Sequence, residues 1–404
     1  MITAQRGTKD ILPDEILTWQ VVQKKAAELF QKANYKEIRT PIFEATELFK
    51  RGVGDSTDIV NKEMYTFTVG NNENSITLRP ENTAGVVRSY IEHNMDRLSP
   101  PVKLWYMGPM FRYERPQAGR QRQFHQIGLE LFGIKEAAAD VEVIIMATEF
   151  LKATGLNDLT VSLNSLGCPE CRNKYKEEIK KAIKPHLNEL CDDCKVRFEK
   201  NPLRMLDCKN EDCKKIFEKD EIKNVVLKDF ICNECREHFE DVKKYLSAAD
   251  VKFEIDKMLV RGLDYYTRTV FEVKSSSLGS QNAILGGGRY DGLVEMLGGK
   301  PTPAVGFALG VERLCSLIKK EEDKKLDYYI VSTETKEAVK LAVKLREKGY
   351  SADFDMQSRK FAKQLEKASK VALKAIILGE DEIKGGYYTV KDLTSGEQTK
   401  QTEI

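Results

Sequence analysis

Apolar positions recur at helical spacing through WQVVQKKAAELFQKA (residues 19–33), with Lys and Gln on the opposite side, which predicts an amphipathic helix. The next stretch, KEIRTPIFE, has strand character interrupted at Pro41. Three runs rich in aromatic and branched residues follow: SITLRPE, VKLWYMGPMFRYE and RQFHQIGLELFG. Turn-forming Pro and Gly separate them, the pattern of an antiparallel sheet. Residues 137–154 return to a helical period, with Val141, Ile144, Ile145 and Thr148 on one side. Sheet-like sequence resumes at LVRGLDYYTRTVFEVKS and passes through LGGGRYDG, which reads as a tight glycine turn between strands. It ends in PAVGFALGVERLCSLI, a strand running into a helix.

Two regions break this pattern. Residues 168–250 hold 19 Lys/Arg and 19 Asp/Glu, and eight of the nine cysteines fall here. This predicts an inserted helical module, residues 161–250, with little core of its own, for which metal is one means of stabilisation. The second break follows the charged linker KKEEDKK. LDYYIVS, a helix over 335–348 with Ala338, Leu341, Ala342 and Leu345 on one face, SADFD, a helix over 359–371, AIILG and YYTVKDL give a β-α-β-α-β-β order. That alternation predicts a C-terminal α/β domain, residues 326–404, with a mostly parallel sheet. Residues 1–160 and 251–322 then form an α+β domain on an antiparallel sheet.

A chain of 404 residues, at about 150 per domain, accommodates this division and needs no disulfide scaffold. The net charge of +2 argues against a histone-like nucleic-acid binder, though not against a local basic groove. No apolar run approaches the ~18 residues of a membrane span, and MITAQRGTKDILPDE lacks the apolar segment of a secretory signal. The expectation is a cytoplasmic protein with no membrane partner. In a reducing compartment, clustered CxxC pairs point to metal before disulfides. Cys168-x2-Cys171 and Cys191-x2-Cys194 lie 19 residues apart, and Cys208-x4-Cys213 and Cys232-x2-Cys235 lie 18 apart. These spacings fit one or two tetrahedral zinc sites, with the pairing left open. Cys315, alone on an apolar helix, reads as core.

The densest polar constellation is FRYERPQAGRQRQFHQIGLE, residues 111–130. Arg112, Arg115, Arg120 and Arg122 face a single acid, Glu114, in a loop with the turn formers Pro116 and Gly119. Planar, bidentate guanidinium groups suit an oligophosphate or a nucleic-acid end; the bland alternative is a solvated hairpin. Arg261, beside a glycine and ahead of two tyrosines, fits a buried anion site or a structural pair with Asp264. Arg313 starts a helix after a strand of small residues. Glu81 and Glu130, at the ends of strand-like runs, could hold a ligand ammonium or imidazole, or be ordinary carboxylates. His125 reads as a hydrogen-bonded structural histidine. The chain has no P-loop, no G-x-G-x-x-G opening a helix and no nucleophile elbow.

At these residues the chain resembles a known family. Residues 111–130 resemble the second signature motif of class II aminoacyl-tRNA synthetases, and GFALGVER their third. LVRGLDYYTRTVFE and LGGGRYDGL resemble the two motifs peculiar to histidyl-tRNA synthetases, and RGTKDILP and TLRPENTAG match that family too. The resemblance implies a class II catalytic domain, an anticodon-binding C-terminal domain, a homodimer formed through residues 19–45, and L-histidine, ATP with Mg2+, and tRNA(His) as ligands. It implies Arg112 and Arg261 as catalytic groups at the α-phosphate. Glu114, Arg120, Phe124 and Arg313 would join Arg112 in binding ATP. Glu81, Thr83, Gln126, Glu130, Tyr265, Tyr266 and Tyr290 would join both catalytic arginines around histidine. Arg115 and Gln117 would meet the tRNA acceptor end, with the inserted module as a further contact. Three rivals stay open: a regulatory paralogue serving ATP phosphoribosyltransferase, a nucleic-acid-binding zinc module on an inactive body, and an adenylate-forming amide ligase. Arg112, Arg261, Arg313 and the α/β tail weigh against the first, the phosphate-binding arginines against the second, and the tyrosine motif against the third.

Overall fold

The computed structural model describes residues 1–54, 57–68, 70, 75–117, 120–208, 210–225, 229–275 and 283–403. The chain forms two compact units, Met1–Glu321 and Glu322–Ile404.

The first unit is built on an eight-stranded sheet. In spatial order its strands are Lys36–Glu37, Val102–Phe111, Gln123–Phe132, Ala304–Gly310, Ala283–Arg289, Thr267–Ser275, Leu159–Ser165 and Phe253–Ile255. The six inner strands pair antiparallel, as the sequence pattern predicts, and a short parallel strand closes each edge. Period-two alternation gives the sheet two different faces. Along Gln123–Phe132, Ile127, Leu129 and Leu131 point into the main core. There they meet Trp19, Val22, Ala26 and Phe30 of the helix Pro13–Lys32, and Ile144, Ala147 and Phe150 of the helix Ala137–Ala153. Gln126, Gly128 and Glu130 alternate onto the opposite face, where Tyr106 and Phe132 join a second buried cluster.

Three expectations for this unit need correction. Residues 283–289 are not a glycine turn but a central strand. Arg289 at its end, fully buried, is bound to Asp140 and donates to the carbonyl of Ile134 at 3.0 Å, tying the strand to the helix behind. The insertion is not poor in core: Tyr175, Ile179, Ile183, Phe198, Leu203, Met205 and Phe217 are buried in one cluster with Tyr106, Tyr265 and Phe132. Its edges also differ from the drawn boundary. The strand Leu159–Ser165 runs past residue 160, and Val242 and Leu246 of the helix Asn233–Ala248 belong to the main core.

The second unit has a five-stranded sheet, ordered Ala352–Phe354, Leu326–Ser332, Ala372–Leu378, Tyr388–Asp392 and Gln398–Gln401. The first three strands are parallel and the last two antiparallel, so the sheet is mixed rather than mostly parallel. The helix Thr335–Glu347 covers one face with Ala338, Leu341, Ala342 and Leu345 against Ile330 and Ile376. Ala368 of the helix Phe361–Val371 packs with Tyr329 and Val331 on the other.

Candidate active site

This second face of the large sheet forms a trough whose floor follows from strand register. Tyr106 and Gly108 pair with Gly128 and Gln126; Glu130 and Gly128 pair with Gly306 and Ala308; Ala308 pairs with Gly286, and Gly286 with Glu272. The glycines are required by what crosses them. A Cβ on Gly306 would lie 1.8 Å from a Glu130 carboxylate oxygen, and one on Gly286 would lie 2.4 Å from the Arg261 guanidinium. The floor is shaped by missing side chains, so large polar groups lie flat across it.

At one end two carboxyl groups are buried together. Glu81 precedes the helix Thr83–Glu92 and accepts the backbone N–H groups of Thr83 at 2.7 Å and Ala84 at 3.0 Å, using the helix's unpaired donors. Glu130 accepts from the Thr83 hydroxyl at 2.8 Å and the Tyr290 hydroxyl at 2.5 Å. Burial raises both carboxyls above the ordinary range, Glu130 to about 8, with the Glu81 charge adding to the rise. The Tyr265 ring lies 4.8 Å from Tyr266 and 5.6 Å from Tyr290, so the three tyrosines wall this end. The side-chain amide oxygen (Oε1) of Gln126 is buried and, among the described residues, has no hydrogen-bond partner. A buried acceptor in that state calls for a ligand donor.

Cationic groups line the rest of the trough. Arg112 Nε donates to the carbonyl of Pro80 at 2.9 Å, and its guanidinium lies over the Phe124 ring at 5.1 Å. Arg261 forms an ion pair with Glu272. Burial lowers the Arg313 pKa, the like charge of Arg120 lowers it further, and Glu272 opposes them, so all three lie within electrostatic reach. Arg120 also pairs with Glu114 at 3.5 Å. The result is a charged row: Glu114, Arg120, Arg313, Glu272, Arg261.

The predicted residues therefore converge on one trough, with two kinds of exception. Arg115 and Gln117 are exposed at the loop, where the backbones of Gln117 and Arg120 pair at 2.9 and 3.1 Å; Gly119 lies outside the described residues. The eight paired cysteines gather instead in two sets within the insertion. His125 is structural, as expected: its Nδ1 lies 3.0 Å from Glu312 and its ring meets Trp19 edge-on at 5.0 Å. Sequence reasoning missed Glu272 and Tyr106. Glu272 was legible as an acid alternating onto the same face as Val270, and Tyr106 as the aromatic opposite Gly128.

Residues 7–314 match the family model described as histidyl-tRNA synthetase, and residues 321–403 match the anticodon binding domain model. The chain belongs to the histidyl-tRNA synthetase family. A relative from Halothermothrix orenii named histidine–tRNA ligase is 49% identical, the match covering 99% of this chain and 96% of the relative. One from Acetivibrio thermocellus with the same name is 48% identical over 98% and 96%. The apo histidyl-tRNA synthetase of Staphylococcus aureus superposes with a TM-score of 0.81 at 38% identity, covering 99% of this chain and 97% of that one. A Bacillus halodurans protein described as an ATP phosphoribosyltransferase regulatory subunit/histidyl-tRNA synthetase shares the fold, at 21% identity and a TM-score of 0.69. Within the histidyl-tRNA synthetase family the trough lies on the matched segment, and no helix among the described residues is long and apolar enough to cross a membrane.

Proposed function

We propose that this chain activates L-histidine with ATP and transfers it to the 3′ end of tRNA(His). One observation carries the reading: a buried polar group (Glu81, Gln126, Glu130, Tyr290) adjoins Arg112, which acts on Glu81, and Tyr266, which Arg261 and Glu130 both reach. The first step needs a carboxylate of the amino acid to approach a polyphosphate. The carboxylate oxygen attacks the α-phosphorus, the bond to the bridging oxygen breaks, and pyrophosphate leaves with the electron pair. Charge grows on the α-phosphoryl oxygens, so catalysis here is positioning and cationic stabilisation. Arg112 and Arg261 would flank that phosphorus, Arg120 and Arg313 would hold the outer phosphates, and Glu114 and Phe124 the adenine end. The Arg112 guanidinium already lies over the Phe124 ring, so the two act on the nucleotide together in this reading.

Mg2+ arrives with ATP as part of the substrate. Among the described residues the only clusters of three or more metal-ligating groups are cysteine sets, so phosphate oxygens and water would supply most of its coordination, as this cation prefers. The carboxyl groups of Glu81 and Glu130, with Thr83, Gln126 and the hydroxyls of Tyr265, Tyr266 and Tyr290, would hold the imidazole and ammonium. A substrate lacking those groups would leave buried polar atoms unpaired, which costs a large factor in rate. In the second step a hydroxyl of the terminal adenosine attacks the activated carbonyl and AMP leaves. Arg115 and Gln117, which are exposed, would meet the acceptor end, and the second unit's match to the anticodon binding domain model supports a role in tRNA binding. A homodimer through residues 19–45 belongs to the same reading; exposed Ile42 and Phe43 support it.

Pyrophosphate exchange tests the proposal. Exchange should appear with histidine alone among the amino acids, and Arg261→Ala should lower it by about 10²–10³-fold. No exchange with histidine, from protein shown to be folded and to bind it, would overturn the reading.

A further inference from the structure

Each of the four cysteine pairs in the insertion leads into a helix. Cys168, Cys191 and Cys232 immediately precede the helices Pro169–Ile183, Asp192–Lys200 and Asn233–Ala248, which hold Cys171, Cys194 and Cys235 in their first turns. Cys213 sits in the first turn of the helix Glu211–Phe217. Helix N-termini favour thiolate over thiol. The sulfurs gather into two sets, Cys168/Cys171/Cys232/Cys235 and Cys191/Cys194/Cys208/Cys213, and within each all lie within 4.8 Å of one another. None is in a disulfide. The grouping is nested: the first pair in sequence joins the last, and the two middle pairs join each other.

The distances fit a single tetrahedral ion in each set. A tetrahedron of Zn–S bonds of about 2.3 Å sets its sulfurs ~3.8 Å apart. Here Cys168 and Cys171 are 3.5 Å apart, and Cys191 and Cys208 3.8 Å. An iron–sulfur cluster would spread its cysteines around an inorganic core, which sets this close leave no room for. Each set also receives an amide hydrogen bond on sulfur, from Cys232 N–H to Cys171 at 3.2 Å and from Cys191 N–H to Cys213 at 3.3 Å. Such donors orient and stabilise thiolate ligands.

The insertion reaches from these sets to the loop that carries Arg261. Arg172, next to Cys171, donates to the carbonyls of Asp264 at 3.3 Å and Tyr266 at 2.8 Å. From the segment between Cys194 and Cys208, the Asn201 amide donates to the Asp264 carboxylate at 2.7 Å, and Arg204 donates to the carbonyl of Gly262.

We infer that the insertion holds two structural Zn2+ ions, one in each four-cysteine set, and that the metal-bound insertion positions the residue 261–266 loop over the trough. Binding displaces the thiol protons and changes no oxidation state. Arg172 is a positioning residue in this arrangement, and its effect on catalysis rests on the function proposed above.

The full-length protein, expressed with zinc in the medium, should carry two zinc ions per chain by elemental analysis. Replacement by Co2+ should give the d–d and thiolate charge-transfer bands of tetrahedral tetrathiolate cobalt, and Cys315→Ser should leave the count at two. One metal or none in folded protein, iron in place of zinc, or disulfides found within the sets by mass spectrometry would overturn the assignment. For the loop, metal-loaded Arg172→Ala should keep both ions yet lower kcat for histidine-dependent exchange about tenfold or more. Chelator-stripped protein should lose exchange and regain it with zinc. Full exchange in the stripped, folded chain, or in Arg172→Ala, would overturn the positioning role; if stripping unfolds the chain, Arg172→Ala decides alone. Absence of histidine-dependent exchange in wild type would instead remove the proposed function and leave the metal count standing.

Discussion

Glu130 shows what a single residue contributes when burial sets its chemistry. Its carboxyl titrates near 8 in the folded chain instead of at its ordinary 4.5. A folded pKa above the unfolded one gives a contribution that is full below about 4.5 and is lost as pH rises through about 8, because the folded state then binds more protons than the unfolded state. Glu130→Gln keeps the shape and removes the charge. Its melting temperature should therefore gain on wild type as pH is raised from 5 to 8, while histidine-dependent exchange falls at every pH. A difference that stayed flat with pH would show that Glu130 is ionised in the fold. Asp140 is the opposite case. Burial raises its carboxyl, but Arg289 and His238 outweigh that and hold it down at about 2. Asp140→Asn would leave Asp291, 3.1 Å away, as the carboxylate partner of the buried Arg289 guanidinium, and chemical denaturation should record a loss of about 3 kcal/mol.

At the scale of the element, the strand Ala304–Gly310 and its neighbours show how far pattern reading reaches. Gly306→Ala places a methyl group against both the Glu130 carboxylate and the carbonyl of Leu129. It should cost about 1–3 kcal/mol in denaturant titration and raise KM for histidine, whereas an alanine at the open Gly292 should do neither. The aromatic and branched runs of 102–111 and 123–132, set apart by Pro and Gly, announce antiparallel strands, and both faces of those strands meet buried clusters. The same logic fails for 283–289. Glycine there serves the close crossing of Arg261, and sequence alone cannot separate a glycine that turns the chain from one that makes room. Register and nesting are hidden for a related reason. Cysteine spacing restricts which sulfurs can meet, but the meeting of Cys171 with Cys232 depends on helices folding back on one another. Gln398–Gln401 went unread since all four residues are exposed and carry no apolar signal. The site residues were legible mainly through motif resemblance; their physical context (two burial-raised carboxyls and a charged row ending at Arg261) was not.

At the scale of the molecule, the two units have separate cores, with Ile330, Leu341 and Ile376 buried in the second and Phe30, Ile127 and Phe307 in the first. A chain ended after Glu321 should keep histidine-dependent pyrophosphate exchange within a few-fold and lose most aminoacylation of tRNA(His), measured with radiolabelled histidine. Loss of both activities in a folded truncation would mean that the second unit serves the chemistry as well as the tRNA.

The order of strands in the large sheet also bears on how the chain is made. Gln123–Phe132 leaves the ribosome early, yet the partner for its second edge, Ala304–Gly310, is among the last segments of that unit to be synthesised. At ~5–20 residues per second the interval is on the order of ten seconds or more. Through it, a long strand with Ile127, Leu129 and Leu131 on one face has an edge with no final partner, the condition under which chains associate wrongly. Until that strand arrives, Glu130 has no Gly306 to lie across, so nascent chains have no trough. The unit's exposure to aggregation and its lack of a substrate pocket end at the same moment of synthesis, and histidine cannot stabilise the chain any sooner.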